Sequence, residues 1–410
     1  MGPGAPLREL RGKPAAILLL CFGSSVLCVL DRINISLAAP MMIRDLGWDE
    51  ARMGVVFSAF FLGYVLFMVP GGLLADRFGA RRVLASGVGV WSLFTVATPL
   101  FPTPGAVGAC RFLVGAGQSL NFPCVSNFIA GNVPVQHRAK AQGFVLSGIS
   151  AGAVIGFPLG SWIAQGWGWP AVFFVFGLSG ALWIALWLHH TAPVRVAREP
   201  AREGTADPPP SWRVFLSHPS SLGLIASYFC HNYAGYFLLT WLPTYLVKVH
   251  GFSVMGMGVA AALPAAAALV CMNGSGWLSD HLTRRGMSRE LSLKVMLYTG
   301  MAASGVFLSA LLWVATPGAA LAAIVLSAAA RSVATPAYWT LSIQMAPRRA
   351  GLLSSLMNTS GNLAGIAAPA LSGVLVARAG GWGWAIGIAA LVSVAGAGVA
   401  ASTVRGTEVA

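Results

Sequence analysis

The chain has 410 residues, of which 56% are hydrophobic and only 9% are charged. Soluble domains usually carry about 25% charged residues, so this composition excludes an ordinary water-soluble protein. The formal net charge of +14 would suggest a nucleic-acid partner for a soluble chain. Membrane proteins concentrate Lys and Arg in their cytoplasmic loops, so we expect no nucleic-acid partner here.

Twelve apolar runs follow one another along the chain, each long enough to cross the roughly 30 Å hydrocarbon layer of a bilayer as a helix. The runs lie at about residues 15–39, 54–74, 83–101, 105–129, 141–164, 169–188, 221–247, 256–279, 292–314, 317–341, 350–376 and 383–402. They predict an all-α membrane protein with twelve transmembrane helices. The first run is too long for a signal peptide, and we expect it to be retained.

Basic residues are unequally divided between the two sides of these helices. Nineteen of the 26 Lys and Arg residues fall in the terminal segments and the loops on their side, and four fall on the opposite side. Cytoplasmic loops carry the excess of positive charge, so both termini are predicted to be cytoplasmic.

A hydrophilic stretch separates two sets of six helices. Residues 189–220 contain several charged residues and the run Pro208-Pro209-Pro210, which is typical of a linker. The sequence therefore predicts an N-terminal six-helix bundle at 1–188, a cytoplasmic linker at 189–220, a C-terminal six-helix bundle at 221–402 and a cytoplasmic tail at 403–410.

The end of the second predicted helix is repeated at the end of the eighth. Asp76 follows Gly72 by four residues, as Asp280 follows Gly276, and the two aspartates lie 204 residues apart, close to half the chain. This spacing indicates a parallel duplication of six helices. We expect Asp76, Arg77 and Asp280 to act in gating, because ion pairs at helix ends can form in one conformation and break in another.

The segment GLLADRFGARR, which begins at Gly72, resembles the cytoplasmic-loop signature of the major facilitator superfamily, with Ala80 at the first of the paired basic positions. Four further segments together resemble its anion:cation symporter family, at residues 31–38, 111–123, 241–246 and 358–366. That family includes bacterial galactonate, hexuronate, glucarate and aromatic-acid carriers and the vesicular glutamate and sialic acid carriers of animals. The resemblance spans both halves and implies a major facilitator fold and transport of an organic anion.

Ionisable residues inside the predicted helices point to a charged ligand. An ionised side chain at bilayer depth costs at least about 2.5 to 3.5 kcal/mol on insertion scales, so it normally faces a partner or an aqueous pathway. The helices hold Arg32, Arg111 and Arg331 but a single acid, Asp31. One carboxylate cannot neutralise three guanidinium groups, so we expect these arginines to bind a small organic anion. For Arg331 a structural role, with backbone oxygens near Pro336 as partners, stays open.

Neutral polar residues complete the candidate substrate site. They are Tyr64, Gln118, Asn232, Tyr236, Tyr338, Asn358 and Asn362. Each alone is more often a helix-packing group, but the resemblance implies that matching positions in helices 2, 7 and 11 contribute to the substrate site. Arg111, Gly115 and Gln118 share one stripe of predicted helix 4, which we expect to face the central cavity.

The resemblance breaks at Gln118, where the family usually has a glutamate implicated in proton coupling. An amide cannot ionise, so a proton relay through this position is excluded. Proton symport through Asp31 is therefore the preferred mechanism, with His231 as a second titratable group. A uniporter or an exchanger of the same anions is the alternative.

A glycine run in predicted helix 5, from Gly148 to Gly160, resembles a signature of proton-driven drug exporters and equally fits close helix packing. A proton/drug antiporter is thus a rival, although a cation carrier would favour buried acids over buried arginines. One intramembrane acid supports no catalytic or metal cluster, so we expect no enzyme and no cofactor. The sequence predicts a monomeric multi-pass carrier in a bacterial inner membrane that moves a small organic anion with protons.

Overall fold

The computed structural model describes residues 13–191, 212–346 and 350–404, and within them the regular elements are all helices. The helices are α1 (Lys13–Asp45), α2 (Glu50–Phe78), α3 (Ala80–Ala97), α4 (Pro104–Gln118), α5 (Asn121–Asn132), α6 (Val135–Trp167), α7 (Trp169–Thr191), α8 (Trp212–Ser217), α9 (Pro219–His250), α10 (Val254–Arg284), α11 (Arg289–Ala310), α12 (Pro317–Met345), α13 (Ala350–Arg378) and α14 (Trp382–Thr403). A 3-10 turn at Thr98–Leu100 follows α3.

Ten of these helices are long and apolar enough to cross a bilayer. Two further crossings are made by α9, whose polar residues lower its mean hydropathy, and by α4 and α5 taken together. The predicted all-α fold of twelve transmembrane helices is confirmed, and the protein is a multi-pass membrane protein. Most of the predicted linker, at 192–211, and most of the predicted tail, at 405–410, lie outside the described residues.

The described residues divide into two compact units. The first unit holds residues 13–41 and 59–191, and the second holds 42–58, 212–346 and 350–404. The boundary therefore passes through α2, between Ser58 and Ala59. The first part of α2 belongs to the second unit because Phe57 packs edge-on against Trp241, with ring centres 5.1 Å apart, and the Ser58 hydroxyl donates to the carbonyl of Ile366.

The fourth predicted crossing is broken, which the sequence analysis did not foresee. α4 ends at Gln118 and α5 begins at Asn121, with a turn at Ser119 and Leu120. Pro123 has no N–H, so the carbonyl of Ser119 loses the partner four residues ahead that a continuous helix would supply. At the same turn, the Leu120 amide donates to the carbonyl of Gly117, three residues back, which is the spacing of a 3-10 turn.

The glycine run of α6 packs against α1. A Cβ atom at Gly148 would lie 2.7 Å from the carbonyl oxygen of Phe22, and one at Gly152 would lie 2.9 Å from that of Val26. Glycine permits this approach because it carries no side chain. Close helix packing therefore accounts for these glycines without a role in the direction of transport.

A reciprocal pair of glycines fixes the crossing of α2 and α4 in the first unit. A Cβ atom at Gly63 would lie 2.0 Å from the carbonyl oxygen of Phe112, and one at Gly115 would lie 2.0 Å from that of Phe60. Real Cβ atoms do not approach other atoms so closely, so only glycine fits at either position. This contact brings the aromatic face of α2 beside the polar residues of α4.

Candidate functional site

Arg32 on α1 is half-buried and lies against α2 and α4. Its guanidinium carbon is 4.9 Å from the ring centre of Phe60 and 5.4 Å from that of Tyr64, distances at which a cation is attracted to an aromatic face. Its Nη2 donates to Oε1 of Gln118 at 3.3 Å. These neighbours orient the guanidinium without neutralising its charge.

Arg111 on α4 is only 1% exposed and binds to α1. Its Nη1 donates to the main-chain carbonyl of Asp31 at 2.9 Å and to Oδ1 of Asn34 at 3.3 Å. Its guanidinium carbon lies 5.2 Å from the ring centre of Phe60. The Phe60 ring therefore contacts both Arg32 and Arg111.

Gln118 uses both ends of its amide group. Its Oε1 accepts from Arg32, and its Nε2 donates to the main-chain carbonyl of Cys28 at 2.9 Å. These two contacts fix which end of the amide faces each neighbour, because only the nitrogen can donate to a carbonyl. Gln118 thus ties the end of α4 to α1 while it accepts a hydrogen bond from Arg32.

The Asp31 side chain is fully buried and faces α3. The indole of Trp91 and the hydroxyl of Thr95 lie beside its carboxyl group. Neither reaches hydrogen-bond geometry, and both carboxyl oxygens are without a protein partner. An ionised carboxyl in such surroundings is costly, and protonation removes the charge that makes it so.

In the second unit, Arg331 on α12 contacts His231 on α9. Its Nη1 lies 3.2 Å from Nε2 of His231, and Oγ1 of Thr335 lies 3.2 Å from the same nitrogen. A Cβ atom at Gly235, one turn after His231, would lie 3.0 Å from the Arg331 guanidinium. The small residue at this position leaves room for the arginine beside α9.

Amide side chains of α9 and α13 lie near one another in the same unit. The Tyr236 hydroxyl donates to Oδ1 of Asn362 at 3.1 Å, and Nδ2 of Asn362 donates to the main-chain carbonyl of Asn358 at 2.9 Å. Nδ2 of Asn232 donates to the carbonyl of Tyr228 at 2.9 Å. The predicted residues Asn232, Tyr236, Asn358 and Asn362 thus line neighbouring faces of two helices.

Tyr338, in contrast, lies in the hydrophobic core of the second unit. It is fully buried, and its hydroxyl contacts Oγ of Ser227 and Sδ of Met301, each at 2.6 Å. Because that hydroxyl already has partners in the core, we leave Tyr338 out of the proposed substrate site.

The three arginines share an electrostatic property. In the part of the chain that the structure describes, none of Arg32, Arg111 and Arg331 forms a salt bridge with a carboxylate. The Nε atom of each is buried without a protein partner. Each unit therefore holds guanidinium groups whose N–H donors can bind an anion.

The three predicted gating residues lie at helix ends. Arg77, in the last turn of α2, and Asp280, in the last turns of α10, are exposed. Asp76 lies one residue before Arg77 on α2, and its side chain is outside the described part of the chain. The structure thus leaves the gating role of these residues as a prediction.

Another residue of the same segment, Arg81, binds the end of α7. Its Nε donates to the hydroxyl of Thr191 at 3.0 Å, and its Nη2 donates to the carbonyl of Leu188 at 2.9 Å. A cation at a helix C-terminus binds carbonyls that lack partners within the helix and stabilises the helix dipole. Arg81 therefore fastens the start of α3 to the end of α7.

Sequence reasoning missed two residues of the first unit. Phe60 contacts both arginines, and Asn34 accepts from Arg111. Phe60 lies one helical turn before the predicted Tyr64, so it shares the same face of α2. That spacing was the available signal for Phe60, whereas no local pattern distinguishes Asn34.

Comparisons with known proteins agree with this architecture. Residues 21–369 match the family model described as Major Facilitator Superfamily. The chain is 33% identical to a chloroplast sodium-dependent phosphate transport protein of Arabidopsis thaliana, over 90% of this chain and 75% of that protein. It is 34% identical to a chloroplast ascorbate transporter of the same plant, over 89% of this chain and 70% of that protein.

A bacterial relative and a solved structure extend the similarity. The chain is 30% identical to a probable galactarate/D-glucarate transporter of Bacillus subtilis, over 87% of this chain and 84% of that protein. The crystal structure of a D-xylose-proton symporter has a TM-score of 0.77, with 18% identity over 97% of this chain and 100% of that one. At this identity the second similarity concerns the fold alone.

Proposed function

The chain belongs to the major facilitator superfamily, whose members are membrane transporters and not enzymes, and from this premise we propose that it carries a small organic anion by alternating access. Transport by this fold needs a binding group that recognises the substrate, and uphill symport needs in addition a group that couples its movement to a gradient. The described residues offer candidates for both.

The observation that carries the proposal is the positive charge of Arg32. This guanidinium is half-buried, rests on two aromatic rings and has no carboxylate partner among the described residues. Leaving a charge out of water without a partner is costly, and a carboxylate matches the planar fork of a guanidinium. We assign the substrate carboxylate to Arg32, since Arg111 is 1% exposed and is hydrogen-bonded to α1.

The polar groups of the second unit favour a hydroxylated acid. Arg331 supplies another guanidinium, and Tyr236, Asn358 and Asn362 bear hydroxyl and amide groups. Such groups both donate and accept hydrogen bonds, as the hydroxyl groups of a sugar acid require. Relatives named for ascorbate and for galactarate or D-glucarate support the same class of substrate.

Asp31 is our candidate for coupling to protons. Its buried carboxyl group has no protein partner for either oxygen, so protonation would relieve the cost of its charge. Symport with protons through Asp31 is our first choice. Uniport or exchange of the same anions is a second candidate, which Gln118 favours because both ends of its amide are engaged and it cannot ionise.

For the cellular setting we propose a bacterial inner membrane, with both termini in the cytoplasm and a monomeric carrier in the lipid bilayer. The distribution of Lys and Arg supports this orientation, and the Bacillus relative supports a bacterial setting.

Uptake into proteoliposomes tests the proposal. Vesicles with the purified full chain are given labelled D-glucarate, ascorbate or inorganic phosphate, or a labelled cationic dye. We expect saturable uptake of D-glucarate or ascorbate and no uptake of the dye, whereas uptake of phosphate alone would contradict an organic substrate. Arg32→Ala should lower anion affinity at least about tenfold, because a hydrogen bond to a charged group contributes about 1.5 to 3 kcal/mol.

Arg44→Ala is the matched control. Arg44 is an arginine of α1 that is exposed and paired with Asp45, so its loss should leave uptake unchanged. Saturable uptake of the dye without uptake of any anion would overturn the proposal in favour of a cation carrier.

A further inference from the structure

The contact between Arg331 and His231 fixes the protonation state of the histidine. A guanidinium can only donate hydrogen bonds, so Nε2 of His231, 3.2 Å from Nη1 of Arg331, must act as the acceptor. The ring is then neutral and carries its proton on Nδ1, which is buried without a protein partner. The histidine thus holds Arg331 in place only while it is uncharged.

Protonation of His231 would reverse this interaction. Nε2 would then become a donor and would face a second positive charge within hydrogen-bond distance, an arrangement that is unfavourable in a poorly solvated site. An oxyanion bound by both groups would remove the repulsion, since it accepts from Arg331 and from the protonated ring. Anion and proton therefore favour each other at this position, and the linkage is reciprocal.

Few other ionisable groups surround His231. Arg331 and Tyr338 face it from α12, and the ring of Tyr228 on its own helix stacks on it, with ring centres 5.7 Å apart. α13 has no ionisable side chain before Arg378 at its end, and α14 has none. The ionisable side chains of α10 other than Cys271 lie in its last turns, from Asp280 onward. Arg331 is thus the charged group that governs the proton on His231.

The surroundings of Arg331 also argue against a purely structural arginine. Its hydrogen bond in the structure goes to a histidine and not to the backbone oxygens near Pro336, and its Nε is buried without a protein partner. Gly235 leaves the space that the guanidinium occupies beside α9. The arginine therefore keeps donors for a ligand.

We propose that His231 and Arg331 form a proton-linked subsite for an oxyanion group, such as a carboxylate or an enolate, in the second unit, in which His231 takes up a proton as the anion binds Arg331. The identity of the anion rests on the proposed function. The subsite supplies a titratable group in addition to Asp31. It replaces the ionisable side chain that the first unit lacks at position 118, where the residue is Gln118. The proton comes from water and returns to it on release, so no covalent step is involved.

Isothermal titration of the purified full chain with D-glucarate and with ascorbate tests the proposal. Titrations near neutral pH in two buffers of different ionisation enthalpy count the protons taken up on binding, because both ligands are already ionised there. We expect His231→Gln to take up about one proton fewer per bound anion than the unmodified protein. Its amide oxygen can still accept from Arg331, so binding should remain detectable.

His250→Gln is the matched control, because it is the same substitution at the end of the same helix, where the ring contacts the Tyr245 hydroxyl. It should keep both the affinity and the number of protons. His231→Asn is a second variant without an ionisable ring. Thermal unfolding curves of both variants show whether a lower proton count comes from the missing histidine or from an unfolded protein. Anion binding with an unchanged proton count in His231→Gln and His231→Asn overturns the subsite and leaves anion transport standing. No binding of either acid by the unmodified protein overturns both proposals.

Discussion

Arg111 donates to the main-chain carbonyl of Asp31 at 2.9 Å, and the carboxyl oxygens of the same residue have no protein partner. The arginine therefore holds the backbone of α1 in place without forming a hydrogen-bonded ion pair with the acid beside it. This arrangement separates two tasks: Arg111 supports the local structure, and the carboxyl group of Asp31 stays available for a proton.

The two arginines of the first unit should consequently differ in what their loss costs. We expect Arg111→Ala to destabilise the protein by about 2 to 4 kcal/mol, because it removes two hydrogen bonds from a buried charged donor. Arg32→Ala should leave the unfolding temperature nearly unchanged and lower anion affinity at least about tenfold. Thermal unfolding and binding measured on the same samples check both. Normal affinity in Arg32→Ala would refute the assignment of the substrate carboxylate.

For Asp31 we expect Asp31→Asn to eliminate uphill uptake driven by an inward proton gradient and to preserve counterflow. The amide cannot take up a proton, so uptake can no longer be driven by the proton gradient. Counterflow only exchanges substrate between loaded carriers, and this exchange does not require the release of a proton. Uptake and counterflow are measured in the same proteoliposomes, with Asp45→Asn, an exposed acid paired with Arg44, as the control. Gradient-driven uptake that survives in Asp31→Asn would exclude this residue from coupling.

Gln118→Glu should make anion affinity depend more steeply on pH than it does in the unmodified protein. The ionised glutamate would pair with Arg32, which now donates to the amide oxygen at 3.3 Å, and so would compete with the substrate. Protonation of the glutamate ends that competition, so affinity should rise as the pH falls. Titration of binding against pH checks the direction, with Gln118→Asn as the uncharged control. The same dependence of affinity on pH in Gln118→Glu and Gln118→Asn would show that the charge at position 118 does not influence the anion.

Gly115→Ala should destabilise the first unit by about 1 to 3 kcal/mol, the usual cost of overpacking. Its Cβ would lie 2.0 Å from the carbonyl oxygen of Phe60, so α2 must shift and carry Phe60 and Tyr64 away from Arg32. Anion binding should weaken together with the fall in unfolding temperature. Gly105→Ala on the same helix has nothing within 4 Å of its Cβ and should be neutral or slightly stabilising. Equal unfolding temperatures for both variants would refute the close crossing.

The repeated helix-end motif gives a kinetic prediction. If Asp76 is part of a conformational latch, Asp76→Asn should slow transport more than it weakens equilibrium binding, because ion pairs at helix ends differ between states. Transport rates in proteoliposomes and binding in detergent are compared, with the exposed Asp280→Asn as the counterpart in the second repeat. Binding lost in parallel with transport would place Asp76 in the substrate site instead.

The sequence predicts those features that depend on short stretches of chain. Twelve crossings follow from runs of apolar residues. Pro123 indicates a break between Gln118 and Asn121, where the structure has one. The apolar run nevertheless predicts a continuous helix as far as residue 129. Hydropathy reports burial in lipid, and a proline inside an apolar run barely lowers it.

Contacts between distant segments could not be predicted in this way. The Arg111 side chain meets the backbone of a residue 80 positions earlier, and Arg331 meets a histidine 100 positions earlier. Composition indicates that there are too few intramembrane acids to neutralise the arginines. It does not indicate which neighbouring residues orient them. The same limit explains why Tyr338 looked like a ligand group, since nothing local shows that its hydroxyl faces Ser227 and Met301.

The crossing of α2 and α4 has a consequence for how this protein can evolve. The atoms that exclude a side chain at Gly63 and Gly115 are carbonyl oxygens of Phe112 and Phe60, and every amino acid carries such an oxygen. No second mutation at positions 60 or 112 can therefore compensate for a change at either glycine. A suppressor screen that starts from Gly115→Ala should return reversions or changes that displace a whole helix, while the side chains around Arg32 stay open to selection for a new substrate.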